Sequence, residues 1–207
     1  MTGFAQQERQ ALCDLLLEVG PDAPTLCAGW QAKDLAAHLV VRERRPDAAG
    51  GIVVPALAGY LERVQRGVRD GRSWPSLVDQ VRHGPPLLLR YLDDPINTAE
   101  YFVHHEDVRR AAPGWQPRTL PPALERALWS RARMAARMAG RKAGVGLRVT
   151  SPGFGEAAGP AGSPSATVAG PPGELLLFLM GRQQVARVAV TGDDDACTRV
   201  KAADLGL

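Results

Sequence analysis

The segment A-G-R-K-A-G-V-G-L-R-V-T-S, residues 139–151, is where the chain changes its hydrophobic period. Upstream, Leu124, Leu128, Ala132 and Ala135 recur at helical spacing and predict a long helix over residues 123–142, opened by Pro121-Pro122. Downstream, Leu147 and Val149 alternate as in a strand. A side-chain repeat of 3.6 residues and one of 2 do not share an element, so a boundary falls near Gly144. The expected fold class is α+β: a helical domain over residues 1–143, then a small α+β domain over residues 144–207.

Toward the N-terminus the pattern is helical throughout. Leu12, Leu15, Leu16 and Val19 predict a first helix over residues 6–19, stopped by Gly20-Pro21. A turn-rich connection follows, and a second helix begins near Gln31 with Leu35, His38 and Leu39 on one stripe. Residues 55–70 read as a third helix buried through Leu57, Leu61, Val64 and Val68. Ser73-Trp74-Pro75 starts a fourth, and Gly84-Pro85-Pro86 interrupts it before the apolar segment 87–92. Asn97 or Thr98 is expected to cap the next helix, which runs to Ala112. Toward the C-terminus, residues 152–164 read as a Gly/Pro loop and 166–169 as a short strand. Residues 173–184 read as a helix, 185–191 as a strand, and 193–205 as a final short helix.

Composition narrows the function. Apolar residues are 45% of the chain, enough for a real core, yet no apolar run approaches the roughly 20 residues needed to span a bilayer. The first residues lack a basic segment followed by an apolar core, so a cytoplasmic protein is expected. Cys13, Cys27 and Cys197 are too few and too widely spaced for a disulfide framework or a cysteine zinc site, and are expected to be structural. The net charge of +3 and pI near 9.0 do not make a nucleic-acid binder, because acidic residues are interspersed with the basic ones. Aromatic residues, at 5%, are too sparse to form stacking platforms. Lys33, Lys142 and Lys201 are the only lysines, and the dominance of arginine with Ala, Gly and Pro points to a GC-rich bacterial genome.

Four histidines carry what chemistry can be seen. Glu100 and His104 are four apart and project from one helix face, where a carboxylate oxygen and an imidazole nitrogen can grip one divalent ion. His38 lies in an apolar stripe, where burial without a partner would cost on the order of 1–3 kcal/mol. A metal or a backbone carbonyl could provide that partner. Three protein ligands with an open fourth position would be the arrangement of a catalytic zinc site. Asp107, three residues after His104, can orient that imidazole or pair with Arg110 or Arg42. His105 is an alternative ligand if the helix phase differs, and His83 is expected to be a solvated helix-end residue.

Two segments together resemble a known family. T-L-C-A-G-W-Q-A-K-D-L-A-A-H-L, residues 25–39, and E-Y-F-V-H-H-E-D, residues 100–107, are similar to two signatures of the maleylpyruvate isomerase N-terminal family. Their patterns are T-x-x-x-G-W-x-x-x-D-L-x-x-H-L and E-x-x-V-H-x-x-D. A-H-L-V-V-R-E-R-R-P-D-A, residues 37–48, resembles an uncharacterised actinobacterial branch, and P-G-E-L-L-L-F-L-M-G-R, residues 172–182, resembles the isomerase's small C-terminal domain. The resemblance implies an antiparallel DinB-like four-helix-type bundle whose metal ligands fall on His38, Glu100 and His104. It places on Arg182 an arginine that helps bind an anionic substrate or thiol; the plain alternative is a surface arginine at a helix C-terminus. It also implies a divalent metal, with zinc foremost, and mycothiol as thiol cofactor. The expected activity is that of a transferase or isomerase acting on a small electrophile, with no nucleic-acid or membrane partner. The competing expectation is a metal-binding or stress-response protein of the same fold without turnover.

Overall fold

In a computed structural model the described residues are 3–49, 54–86 and 93–206, and the predicted apolar segment 87–92 lies outside them. The fold is mixed α+β and divides into two compact units, Met1–Gln116 and Pro117–Leu207. The change of period in the sequence predicts a division at residue 143. Packing sets it earlier, because the long helix keeps company with the strands that follow it.

The first unit is helical: α1 (Phe4–Val19), α2 (Ala32–Arg44), the short α3 (Pro46–Ala49), α4 (Ala58–Asp70), α5 (Trp74–His83) and α6 (Asp93–Ala111). Helix α1 packs on α5 and α6, and α2 on α4 and α5. Their shared core is built from Leu12, Leu16, Leu35, Leu39, Leu77, Val81 and Tyr101. Helix α2 starts where it does because the Asp34 carboxylate accepts the Gln31 amide at 3.0 Å, supplying an acceptor to an N–H outside the helical ladder. Helix α6 starts earlier than its expected caps. Asp93 and Asp94 occupy its first turn, where carboxylates suit the helix dipole, and Thr98 Oγ1 donates back to the Asp94 carbonyl at 2.8 Å from inside the helix.

The second unit holds α7 (Pro122–Ala143), β1 (Gly146–Ser151), β2 (Gly155–Ala158), β3 (Ser165–Ala169), α8 (Pro172–Leu179), β4 (Ala189–Gly192) and α9 (Asp194–Ala202). Helix α7 ends on Gly144, which takes the left-handed conformation at φ 64°. The sheet order is β2-β1-β3-β4; β1 and β3 are parallel and the outer pairs antiparallel. The expected loop over residues 152–164 therefore contains a strand. The expected strand over 185–191 is shorter than its pattern. Val185 and Ala186 give their amides to the Arg182 carbonyl, and Arg187 gives its amide to Glu174 at 2.7 Å, so pairing begins only at Ala189. Helix α8 is buried on all sides, as its apolar sequence requires. Among the described residues no helix is long and apolar enough to cross a membrane.

Candidate metal centre

Helices α2 and α6 bring His38, Glu100 and His104 together inside the first unit. One ligand atom from each lies within 4.8 Å of the others. Glu100 Oε1 is 3.6 Å from His38 Nε2 and 3.3 Å from His104 Nε2. Donors around a four-coordinate zinc, at bonds of about 2.0–2.1 Å, stand about 3.3 Å apart. The residues therefore fit a small divalent ion. His38 and Glu100 are largely buried, at 12% and 16% side-chain exposure, and His104 is buried.

Each ring is held by a further neighbour. His104 Nδ1 donates to Asp107 Oδ2 at 2.9 Å, which leaves Nε2 turned toward Glu100. His38 Nδ1 meets the side-chain nitrogen of Gln65, from α4, at 3.1 Å. With that amide donating, His38 carries its proton on Nε2 and points it at Glu100. Ligation through Nε2 would move the proton to Nδ1, and Gln65 would turn its oxygen to receive it. Trp30 packs against His38 with ring centroids 5.1 Å apart. Trp30 and Gln65 also line a cavity of about 200 Å³, together with Asp34, Arg66 and Arg69.

The electrostatics follow from these contacts. Burial would raise the Glu100 pKa, but hydrogen bonds from His104 and His38 and the charge of Arg42 outweigh it and hold the carboxyl well below its usual range. Burial would lower the His104 pKa. The bonds to Asp107, Cys27 and Glu100 reverse that and hold it well above the ordinary histidine value. His38, where burial dominates, is lowered.

The loop before α2 explains why T-L-C-A-G-W stands where it does. Leu26 donates its amide to the Asp107 carbonyl at 3.1 Å, and Cys27 Sγ donates to Asp107 Oδ2 at 3.3 Å. Thr25 Oγ1 accepts the Cys27 amide and donates to the Trp30 carbonyl at 2.9 Å, closing the turn. Gly29 permits it with φ 75°. The loop thus reaches α6 at one end and the His38 ring at the other.

Of the other candidates, Asp107 orients His104, and Arg110 Nε goes to Glu106 at 2.6 Å. His105 faces Glu8 at 2.9 Å, away from the three-residue cluster. His83 is exposed at the end of α5 beside Asp79. Arg182 lies in the second unit, past α8, where its guanidinium donates to the Met180 carbonyl at 2.5 Å. Cys27, expected to be only a small apolar residue, bonds a site carboxylate instead. Arg42, expected as a partner for Asp107, instead lies with its Nε 3.1 Å from Glu100 Oε1, and its position four residues after His38 was the signal available. Gln65 carried no local signal.

No protein-family model matches the chain, and no curated protein does. Among solved structures, the mycothiol-dependent maleylpyruvate isomerase is similar, with a TM-score of 0.59 at 14% identity, covering 93% of this chain and 97% of that one. At that identity the likeness is one of fold.

Proposed function

We propose that this chain binds one divalent metal ion, zinc or an ion of similar preference, through His38, Glu100 and His104. We further propose that it uses a low-molecular-weight thiol, with mycothiol the first candidate, as a transferase or isomerase acting on a small electrophile. The helical unit is read accordingly as a DinB-like antiparallel bundle, and the protein as cytoplasmic. The observation that carries the reading is the convergence of two imidazoles and a carboxylate from α2 and α6 at metal-ligand separations. The solved neighbour of this fold, a mycothiol-dependent isomerase, supports the choice of thiol.

When bound, the ion acts as a Lewis acid that lowers the pKa of a coordinating thiol, making thiolate available at neutral pH. The chain's own residues favour an anion there. Two neutral imidazoles and one carboxylate leave a dication with net positive charge, and Arg42 adds a guanidinium 3.1 Å from Glu100. Asp107 and Gln65 hold the rings, and Trp30 shields His38 from water. The cavity beside Trp30 and Gln65 offers room for part of a small molecule. Arg182 is proposed to bind an anionic group of the substrate or thiol, since its forked donors match two oxygens.

Elemental analysis of the purified protein should find about one ion per chain, and His104→Ala should lose it. A cobalt-substituted sample should change its visible spectrum when mycothiol is added. Retained metal with no spectral response to the thiol and no turnover across a panel of electrophiles would leave a metal-binding protein without this chemistry. No retained metal at any pH would remove the reading altogether.

A further inference from the structure

The side of His104 turned away from Glu100 carries a second set of donors. Cys27 Sγ lies 3.3 Å from Asp107 Oδ2, Asp107 Oδ2 lies 2.9 Å from His104 Nδ1, and Cys27 Sγ lies 4.0 Å from His104 Nδ1. We propose that these three atoms form a second metal site, one selective for thiophilic divalent ions such as cadmium or zinc. Around a four-coordinate zinc ion with one sulfur bond near 2.3 Å and nitrogen and oxygen bonds near 2.0 Å, donors stand about 3.3–3.6 Å apart. The observed triangle departs from that by less than about half an ångström.

Charge and chemistry agree with the geometry. Asp107 is fully buried, and both the Cys27 S–H and the His104 Nδ1–H point at the same carboxylate oxygen. An entering dication takes the place of those two protons, which leave to solvent, and no electrons are transferred. Carboxylate and thiolate then balance the ion, so no net charge is buried. The two donor sets share His104 through opposite ring nitrogens, so one neutral imidazole serves one set at a time, and the sets divide ions by softness. One set offers only nitrogen and oxygen; the other adds a sulfur. Cys27 is half-buried, and the Leu26–Asp107 backbone bond holds its loop against α6.

The test is a cadmium titration of the full-length protein, followed by the ultraviolet charge-transfer absorption of a thiolate–cadmium bond. Wild type should develop the band, and so should His38→Ala, which lacks a ligand of the first set but none of the second. Glu100→Gln serves in its place if circular dichroism shows that His38→Ala is misfolded. Cys27→Ser should lose the band while still taking up cadmium through His38, Glu100 and His104. A band that persists in Cys27→Ser belongs to Cys13 or Cys197 and overturns the assignment. So does its absence from both wild type and His38→Ala, which would leave Cys27 a hydrogen-bond donor to Asp107 and nothing more. Loss of the nitrogen–oxygen site alone, with the band retained, would count against the proposed function and not against this second site.

Discussion

At Asp107 one oxygen receives two donors, and through it the Nε2 edge of His104 is aimed at Glu100. Asp107→Asn keeps the shape but removes the charge that holds the imidazole, so metal affinity should fall about 10–100-fold in a competitive cobalt titration. Because the folded protein holds His104 protonated to well above pH 6.5, metal must displace that proton, and affinity should rise with pH until His104 deprotonates. In Asp107→Asn the plateau should be reached at lower pH. Stability of chelator-treated protein runs by the same logic. The raised pKa of His104 contributes stability below 6.5 that is lost as pH rises through its folded value. The depressed pKa of Glu100 contributes stability above 4.5 that is lost as pH falls. His38, lowered by burial, adds to the acid loss, because below 6.5 the unfolded chain takes a proton that the folded one resists. Denaturant midpoints across pH check all three signs. Glu100 and His104 were legible from their spacing alone. Cys27 and Gln65 were not, because the atoms they bond belong to residues 80 and 27 positions away.

Among the elements, α6 is the one whose sequence misleads most. Residues 101–108 are all buried, although His104, His105, Glu106 and Asp107 are polar. An amphipathic reading assumes that polar residues face water, and it fails where each finds a partner inside the fold. His105 has Glu8 and Glu106 has Arg110, while His104 and Asp107 have each other. A glycine of the loop before α2 contrasts with one inside α4. Gly29 sits at φ 75° with open space around it, so Gly29→Ala meets no clash but adds backbone strain of roughly 1–2 kcal/mol. It should also weaken metal binding, since the loop carries Cys27 and Trp30. Gly67, exposed within α4 and likewise in open space, should behave oppositely. Gly67→Ala should stabilise by about 1 kcal/mol and leave metal binding unchanged. Thermal melts and metal titrations of the two variants separate backbone strain from helix propensity.

Across the first unit a chain of buried polar contacts ties α1 to the candidate metal centre. Arg9 is fully buried and pairs with Glu43 at 2.7 Å and Asp93 at 2.6 Å, with its guanidinium over the Tyr101 ring at 4.3 Å. Asn97 donates to Asp93 at 2.7 Å and accepts from Arg42, which reaches Glu100. Arg9→Ala strands Glu43 without its counter-charge and should cost about 3–5 kcal/mol in chemical denaturation.

The sequence by itself determined the helical and strand periods, the α+β class and the placement of a carboxylate and an imidazole on one face of α6. These depend on neighbours within a few residues, where backbone geometry dictates which side chains share a face. Only the tertiary structure decided that α7 belongs with the sheet, that His38 meets Glu100 and His104, and that Cys27 reaches Asp107. Those outcomes depend on how separate elements pack, and contacts between residues far apart in sequence leave no mark in local periodicity.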